Sequence, residues 1–203
     1  MNTVYFSAQF HSSASDPYRC PESVAEVAFA GRSNAGKSSA INTITRNGKL
    51  ARTSKTPGRT QLINHFALGD GRFLVDLPGY GYAQVSRDRQ KQWQAAMRRY
   101  LGSRASLKGL VLVMDIRHPL TESDWQLIEL QQQGQAALHI LLTKADKLSK
   151  NQVSSSVLRV QDQLSAADID ATLQDFSSLN KQGIDDCHAV LDSWLFDRSL
   201  TIG

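Results

Sequence analysis

A run of eight residues, Gly31, Arg32, Ser33, Asn34, Ala35, Gly36, Lys37 and Ser38, has the spacing G-x-x-x-x-G-K-[ST] and follows the apolar stretch Val27–Ala30. Each residue type has a task in holding phosphate. The glycines let the backbone curl so that successive N–H groups face phosphate oxygens. Lys37 can set a point charge on the β- and γ-phosphates, and Ser38 can offer a hydroxyl to Mg²⁺. A helix starting here also directs its positive end at the anion. The ordinary alternative is a glycine-rich strand-to-helix turn with an incidental lysine.

Two later segments narrow the chemistry. Asp76, Leu77, Pro78 and Gly79 follow the apolar run Phe73–Val75. A carboxylate at this place can reach the Mg²⁺ shell through water, and the Gly79 N–H can sense a γ-phosphate. Taken singly, Asp-x-Pro-Gly is also an ordinary turn. Thr143, Lys144, Ala145 and Asp146 follow the apolar run Leu138–Leu142. Guanine carries N1–H and N2–H₂ side by side, and one carboxylate can accept from both. Adenine has no such donor pair, so Asp146 would select guanine, while the aliphatic stem of Lys144 can lie over the base. The three segments occur in this order, each after a predicted strand, and together point to a guanine-nucleotide site.

Hydrophobic periodicity supplies the elements that must position these residues. Strands are predicted at Glu26–Ala30, Thr60–Leu68, Phe73–Asp76, Gly109–Met114, Leu138–Leu142 and Ala171–Phe176. Helices are predicted over Lys37–Thr45, up to about Leu101, over Thr121–Gln133, through Val153, Val157, Val160 and Leu164, and from Ile184 to Leu195. In the second helix Trp93, Ala96, Met97, Tyr100 and Leu101 share one face. The hairpin turn Gly69-Asp70-Gly71 breaks the alternation, so one strand should run antiparallel. Alternating strands and helices imply a three-layer α/β fold with a six-stranded mixed sheet, mostly parallel, and with ligands at the carboxyl ends of the strands. Residues 1–22 read as an irregular lead-in, 23–197 as a single domain and 198–203 as a short tail. Residues 46–59 and 77–87 read as loops, the first of them mobile.

The chain has 203 residues, 41% apolar and 21% charged, which suits one soluble domain with a proper core. No apolar run approaches the ~20 residues that span a bilayer, and the start lacks the pattern of a secretory leader. Cys20 and Cys187 have no metal-type spacing and read as reduced thiols, which suggests the cytoplasm. Residues 1–108 hold 16 Lys/Arg against 6 Asp/Glu, whereas residues 109–203 hold 7 against 13. Such a bias fits a polyanionic partner beyond the nucleotide, or else a solvated basic face. Arg46, Lys49, Arg52, Lys55, Arg59, Arg87, Lys91 and Arg98 are the candidate contacts.

The phosphate loop, Thr56-Pro-Gly-Arg-Thr-Gln61, Asp76-Leu-Pro-Gly-Tyr-Gly-Tyr82, Thr143-Lys-Ala-Asp146 and Phe176-Ser-Ser178 together resemble the EngB/YihA/YsxC GTPases, small bacterial proteins of ribosome assembly. The match runs from about Glu22 to Trp194, and Asp-Leu-Pro-Gly-Tyr-Gly-Tyr is its most specific piece. The resemblance implies a Ras-like P-loop GTPase domain without an appended RNA-binding module. It implies that Thr60 joins Ser38 on Mg²⁺ when GTP is bound, and that Gly58, Arg59, Thr60, Gln61 and Leu62 cover the nucleotide. Phe176, Ser177 and Ser178 would form the loop beside guanine, the serines through backbone N–H groups. It also implies a role in assembly of the large ribosomal subunit, with effects on cell division and septation.

Hydrolysis in this fold is in-line attack by water, helped by positioning and charge neutralisation, with Lys37, Thr60 and Gly79 as the catalytic set. Many GTPases place a glutamine directly after Asp-x-x-Gly. Tyr80 stands there in this chain, so intrinsic turnover should be slow. In some related GTPases an asparagine at the place of Asn34 helps to bind K⁺ where an arginine finger would bring its charge, so the resemblance implies that K⁺ could speed this reaction, although Asn34 could equally only brace the loop. Tyr80 and Tyr82 could stack on bases or pack within their loop. Two other readings remain open at this point: a GTPase whose main partner is a protein, in division or tRNA modification, and a nucleotide kinase, against which Asp146 argues. The chain shows no long exposed apolar face and is expected to be a monomer.

Overall fold

The computed structural model describes residues 2–51, 62–81 and 87–196. The strands are β1 (Gln9–Ala14), β2 (Ala25–Gly31), β3 (Ile63–Gly69), β4 (Arg72–Asp76), β5 (Leu107–Asp115), β6 (Ala137–Thr143) and β7 (Thr172–Asp175). The helices are α1 (Lys37–Ile44), α2 (Arg87–Ser103), α3 (Glu122–Gln131), α4 (Lys150–Ala166) and α5 (Ile184–Leu195). The strands make one sheet in the order β1-β3-β4-β2-β5-β6-β7. Only β3 runs against the rest, antiparallel to both β1 and β4; the β2–β4, β2–β5, β5–β6 and β6–β7 pairs are parallel.

The central strands are continuous apolar runs because helices cover both of their faces. Val27, Phe29, Val111 and Val113 belong to the core under α1 and α5, with Ile41, Ile44, Cys187 and Leu191. Ala28, Ala30, Leu110, Leu112 and Met114 belong to the core under α2, α3 and α4, with Met97, Tyr100, Leu127, Ile128, Val160 and Leu164. The period of two along each strand therefore sorts side chains between two cores. Burying each of these large aliphatic side chains contributes about 1.5–3 kcal/mol. Among the described residues no helix is long and apolar enough to cross a membrane.

Among the described residues the sheet has seven strands, where the apolar pattern predicts six. The seventh is β1, inside the lead-in read as irregular. Its residues, Gln-Phe-His-Ser-Ser-Ala, are mostly exposed, and a bulge interrupts its pairing with β3 between Phe10 and Ser12. An edge strand held by backbone hydrogen bonds needs no alternation of side chains, so no pattern announces it. The lead-in is also anchored upstream. Tyr5 is fully buried, stacks on His188 of α5 at 4.5 Å between ring centroids, and donates its hydroxyl to Asp192 at 2.8 Å.

The loop expected over 46–59 begins as an ordered turn. The Asn42 amide nitrogen donates to the carbonyls of Gly48 and Ala51, and its oxygen accepts from Ala51 N–H at 2.7 Å. Arg52, Lys55, Thr56, Pro57, Gly58, Arg59, Thr60 and Gln61 lie outside the described residues, as does Tyr82. The predicted strand from Thr60 is seen from Ile63 onward.

Candidate functional site

The ends of β2, β4 and β6 open on the same edge of the sheet, and the predicted segments meet there through direct contacts. Gly31 closes β2 against β5 so tightly that a Cβ would stand 2.6 Å from the Val113 carbonyl oxygen. The loop then turns through Asn34 at φ 64° and Gly36 at φ 97°. A side chain at Gly36 would be strained and would meet Thr143 Oγ1 at 3.2 Å. Lys37 and Ser38 open α1, and Ala40 N–H donates to Gly36 O at 2.8 Å. The buried carboxylate of Asp76, at the end of β4, accepts from the Lys37 ammonium.

The segment after β4 lies against this loop. Leu77 N–H donates to Phe29 O at 2.9 Å, and Ser33 N–H donates to Tyr80 O at 3.0 Å. Leu77 and Pro78 are buried, Gly79 is half-buried, and Trp93 of α2 donates its indole N–H to Pro78 O at 3.2 Å. Tyr80 is 5% exposed. Its hydroxyl donates to the buried Asp124 of α3 at 2.8 Å and its ring tilts against Trp93. Of its two sequence readings, packing is the one observed. Burial, with the Asp124 carboxylate beside it, keeps the phenol well above its ordinary pKa, so Tyr80 offers no base.

The segment after β6 is pinned from three sides. Thr143 donates its hydroxyl to Ala35 O and lies 3.0 Å from Met114 O, which ties the base loop to the phosphate loop and to β5. Lys144, at φ 62°, reaches across the site: its ammonium donates to Asn34 O at 2.6 Å and to Asp115 Oδ2 at 2.9 Å. Asp146 Oδ1 accepts the Ser177 hydroxyl at 2.7 Å, and Lys147 Nζ stands 3.4 Å from Oδ2. The Ser177 hydrogen bond, with smaller help from Lys147, holds this carboxyl below its ordinary range despite its burial. Each oxygen keeps a lone pair for a further donor.

Phe176 is fully buried and joins the two base loops, accepting from Ala145 N–H at 3.1 Å and donating to Leu142 O at 2.8 Å. Ser177 departs from the expectation. Its N–H already donates to Gln182 O at 3.2 Å, so it acts on Asp146 through its hydroxyl; Ser178 is half-buried beside it. Leu62 is 39% exposed.

The spacing of motifs gives no role to Asp115, although it closes β5. It is 7% exposed and accepts from Lys144, from the Arg117 guanidinium at 2.9 and 2.6 Å, and from Arg117 N–H at 3.1 Å. These hydrogen bonds outweigh its desolvation and hold the carboxyl well below its usual range. The one available signal is an acid at the end of an apolar strand, neighbouring the strand that carries Lys144.

Of the basic candidates, Arg46, Lys49, Lys91 and Arg98 are exposed, and Arg87 opens α2. The Arg46 guanidinium lies over the Phe6 ring at 4.2 Å. The oxygen donors Ser38 and Asp76 suit a hard cation such as Mg²⁺, which is held largely by phosphate and water.

Residues 26–144 match a family model described as 50S ribosome-binding GTPase. The chain is 51% identical over 194 residues to the "Probable GTP-binding protein EngB" of Escherichia coli K12, covering 95% of this chain and 92% of that one. The protein of the same name from Shigella boydii serotype 18 matches at the same identity and coverage. Among solved structures, a probable GTP-binding protein EngB superposes with a TM-score of 0.68 at 20% identity, covering 86% of this chain and all of that one. Aquifex aeolicus Era bound to GDP and aluminium fluoride gives a TM-score of 0.64 at 14% identity, over 85% of this chain and 57% of that one. At such identities the structures speak to the fold, which is that of P-loop GTPases. The half-chain family match and the 51% identity settle the wider question: the chain belongs to the EngB family of GTP-binding proteins.

Proposed function

We propose that Mg²⁺–GTP sits along the edge where the three segments meet, and that its slow hydrolysis switches the protein between two affinities for a large ribosomal subunit or its precursor in the cytoplasm. Lys37 would neutralise the β- and γ-phosphates, Asp146 would accept the guanine donors, and Ser38 with Thr60 would hold Mg²⁺. Mg²⁺ supplies charge neutralisation between the phosphate oxygens. Gly79 would register the γ-phosphate. The observation that carries the nucleotide assignment is the contact of Lys144 and Thr143 with the phosphate loop, since it brings a base reader and a phosphate cradle to one ligand's span.

Slow turnover follows from Tyr80. A phenol committed to Asp124 cannot orient water, so the rate should lie far below the 1–100 s⁻¹ of kinases. The exposed Asn34 at the crest of the loop is where K⁺ would add charge. Turnover should therefore be faster in KCl than in NaCl; equal rates would remove the ion from the mechanism.

The ribosomal partner is supported by the basic first half of the chain and by the exposed Arg46, Lys49, Lys91 and Arg98. A role in division and septation would follow from impaired assembly. Co-sedimentation with large subunits, in GTP and in GDP over a salt series, tests this. Binding should be tighter in GTP and weaken steeply with salt. Salt-insensitive binding, or equal binding in both nucleotides, would favour the alternative of a protein partner in division or tRNA modification.

A further inference from the structure

Among the described residues the most exposed aromatic ring lies away from the nucleotide loops. Tyr18 is 77% exposed. It occupies the 3₁₀ turn Pro17–Arg19, which Asp16 caps by accepting Tyr18 N–H at 2.8 Å. Pro17 presets φ at the start of the turn. Arg19 N–H and Cys20 N–H then close it onto Asp16 O and Pro17 O, and Cys20 packs against the core. The ring is thus presented on a firmly built turn that gains little from burying it. The Arg99 guanidinium of α2 lies over one of its faces, 4.6 Å from the centroid, and the exposure leaves the other face open.

Apart from Asp16, which caps the turn itself, the neighbouring helix is strongly basic. Between residues 89 and 114 the sequence has six Lys/Arg and no Asp/Glu. Arg104 is spent inside the fold, donating to the buried Glu26. Lys91, Arg98 and Arg99 stay exposed on α2, as does Arg19 beside Tyr18. Among the described residues Arg19, Lys91 and Arg98 make no ion pair. Arg99 has only a long one, 3.9 Å to Asp16. An acidic protein could use such charges, but it has no particular use for an open ring backed by a guanidinium. An unpaired base does, because every base has a π-face and the arginine behind the ring adds cation–π attraction.

We propose that Tyr18, backed by Arg99, is a stacking seat for an unpaired base of single-stranded RNA, whose phosphates run along Arg19, Arg98 and Lys91. The idea rests on the RNA-binding reading above, shares Lys91 and Arg98 with it, and extends that surface to Tyr18, Arg19 and Arg99. Neither Tyr18 nor Arg99 belongs to the loops around the nucleotide, so stacking on the ring itself requires neither GTP nor GDP.

The test is fluorescence anisotropy of a labelled single-stranded uridine dodecamer with the full chain, in GDP and in GTP. Tyr18→Ala should weaken binding on the order of tenfold with an unchanged salt slope. Tyr18→Phe, which keeps the ring, should stay within about twofold of the parent. Arg98→Gln should lower the salt slope by about 0.7. GDP affinity serves as the folding control for each variant. Crosslinking of a 4-thiouridine dodecamer should map to the Tyr18 peptide. The proposal is overturned by a parent that does not bind the dodecamer, or by equal affinities of parent and Tyr18→Ala. Loss in Arg98→Gln without loss in Tyr18→Ala also overturns it and points to an acidic partner instead. Because the probe is RNA alone, a negative subunit co-sedimentation leaves this result standing, and the reverse holds too.

Discussion

The base end and the phosphate end of the candidate site are built on opposite plans. At the base end the reading groups are held by the protein. Asp146 is fixed by Ser177, Lys144 by Asn34 O and Asp115, and Thr143 by two backbone carbonyls. At the phosphate end the Lys37 ammonium is paired with Asp76, a carboxylate at the site itself, and the Tyr80 phenol is drawn into the core by Asp124. A rigid base reader gives selectivity without reorganisation. A phosphate end in which Lys37 must share or exchange a partner is what a switch requires, because GTP and GDP then compete differently with Asp76.

Cutting the Lys37–Asp76 pair gives the largest effect. Lys37→Ala should lower GTP turnover by at least about a hundredfold, as loss of one preorganised donor does. It should also cost stability of about 3 kcal/mol in urea titrations, since both side chains are largely buried and the carboxylate is left alone. Adding Asp76→Asn should recover part of that stability but none of the turnover. A single variant as stable as the parent would mean that the pair is dispensable and the contrast between the two ends misplaced.

Acid separates the fold from the base end. Desolvation lowers the buried His139 imidazole to about 4 and that of His65 to about 4 as well. The unfolded chain takes up these protons below about pH 6.5, while the folded one does not until about pH 4. Stability should therefore fall as pH drops through that window, by up to about 3 kcal/mol from His139. Asp115 and Asp146 are held low by their partners and remain charged throughout. Affinity for guanosine, which has no phosphate to titrate, should stay nearly flat between pH 7 and 5 while the unfolding free energy declines; parallel losses would show that base recognition and the histidine-bearing core are coupled.

The smallest expected effect sharpens the base end alone. Asp115→Asn keeps the shape but removes the charge that holds Lys144. GDP affinity should drop about fivefold through faster release, about 1 kcal/mol, because Lys144 keeps its bond to the Asn34 carbonyl and loses only part of its positioning. An unchanged release rate would assign the positioning of Lys144 to the Asn34 carbonyl by itself.

What could be read beforehand follows from how each region is held. The phosphate loop, the Asp76 turn and Thr143–Asp146 were legible because their chemistry demands residue types at fixed spacing, and the buried strands because both of their faces are apolar. Strand β1 was not, since backbone pairing at a sheet edge leaves no mark on polar side chains. Asp115 was missed because its work is done across a strand pair, on a residue 29 positions away in the chain. The fate of Tyr80 depended on Asp124 and Trp93, from two different helices, which no local pattern connects to it. The hydrogen bonds of Ser177, its hydroxyl to Asp146 and its N–H to Gln182, could not be read beforehand because they depend on how the loop closes on itself.

Base selectivity of Asp146→Asn is the most direct measurement of all. Competition of GTP and xanthosine triphosphate for the parent and the variant compares the two carboxylate-dependent donors of guanine with their replacement in xanthine. If Asp146 reads the base, preference should shift from guanosine toward xanthosine nucleotides by at least about a hundredfold. An unaltered preference for GTP in a variant that still binds phosphate would contradict the placement of the nucleotide along this edge.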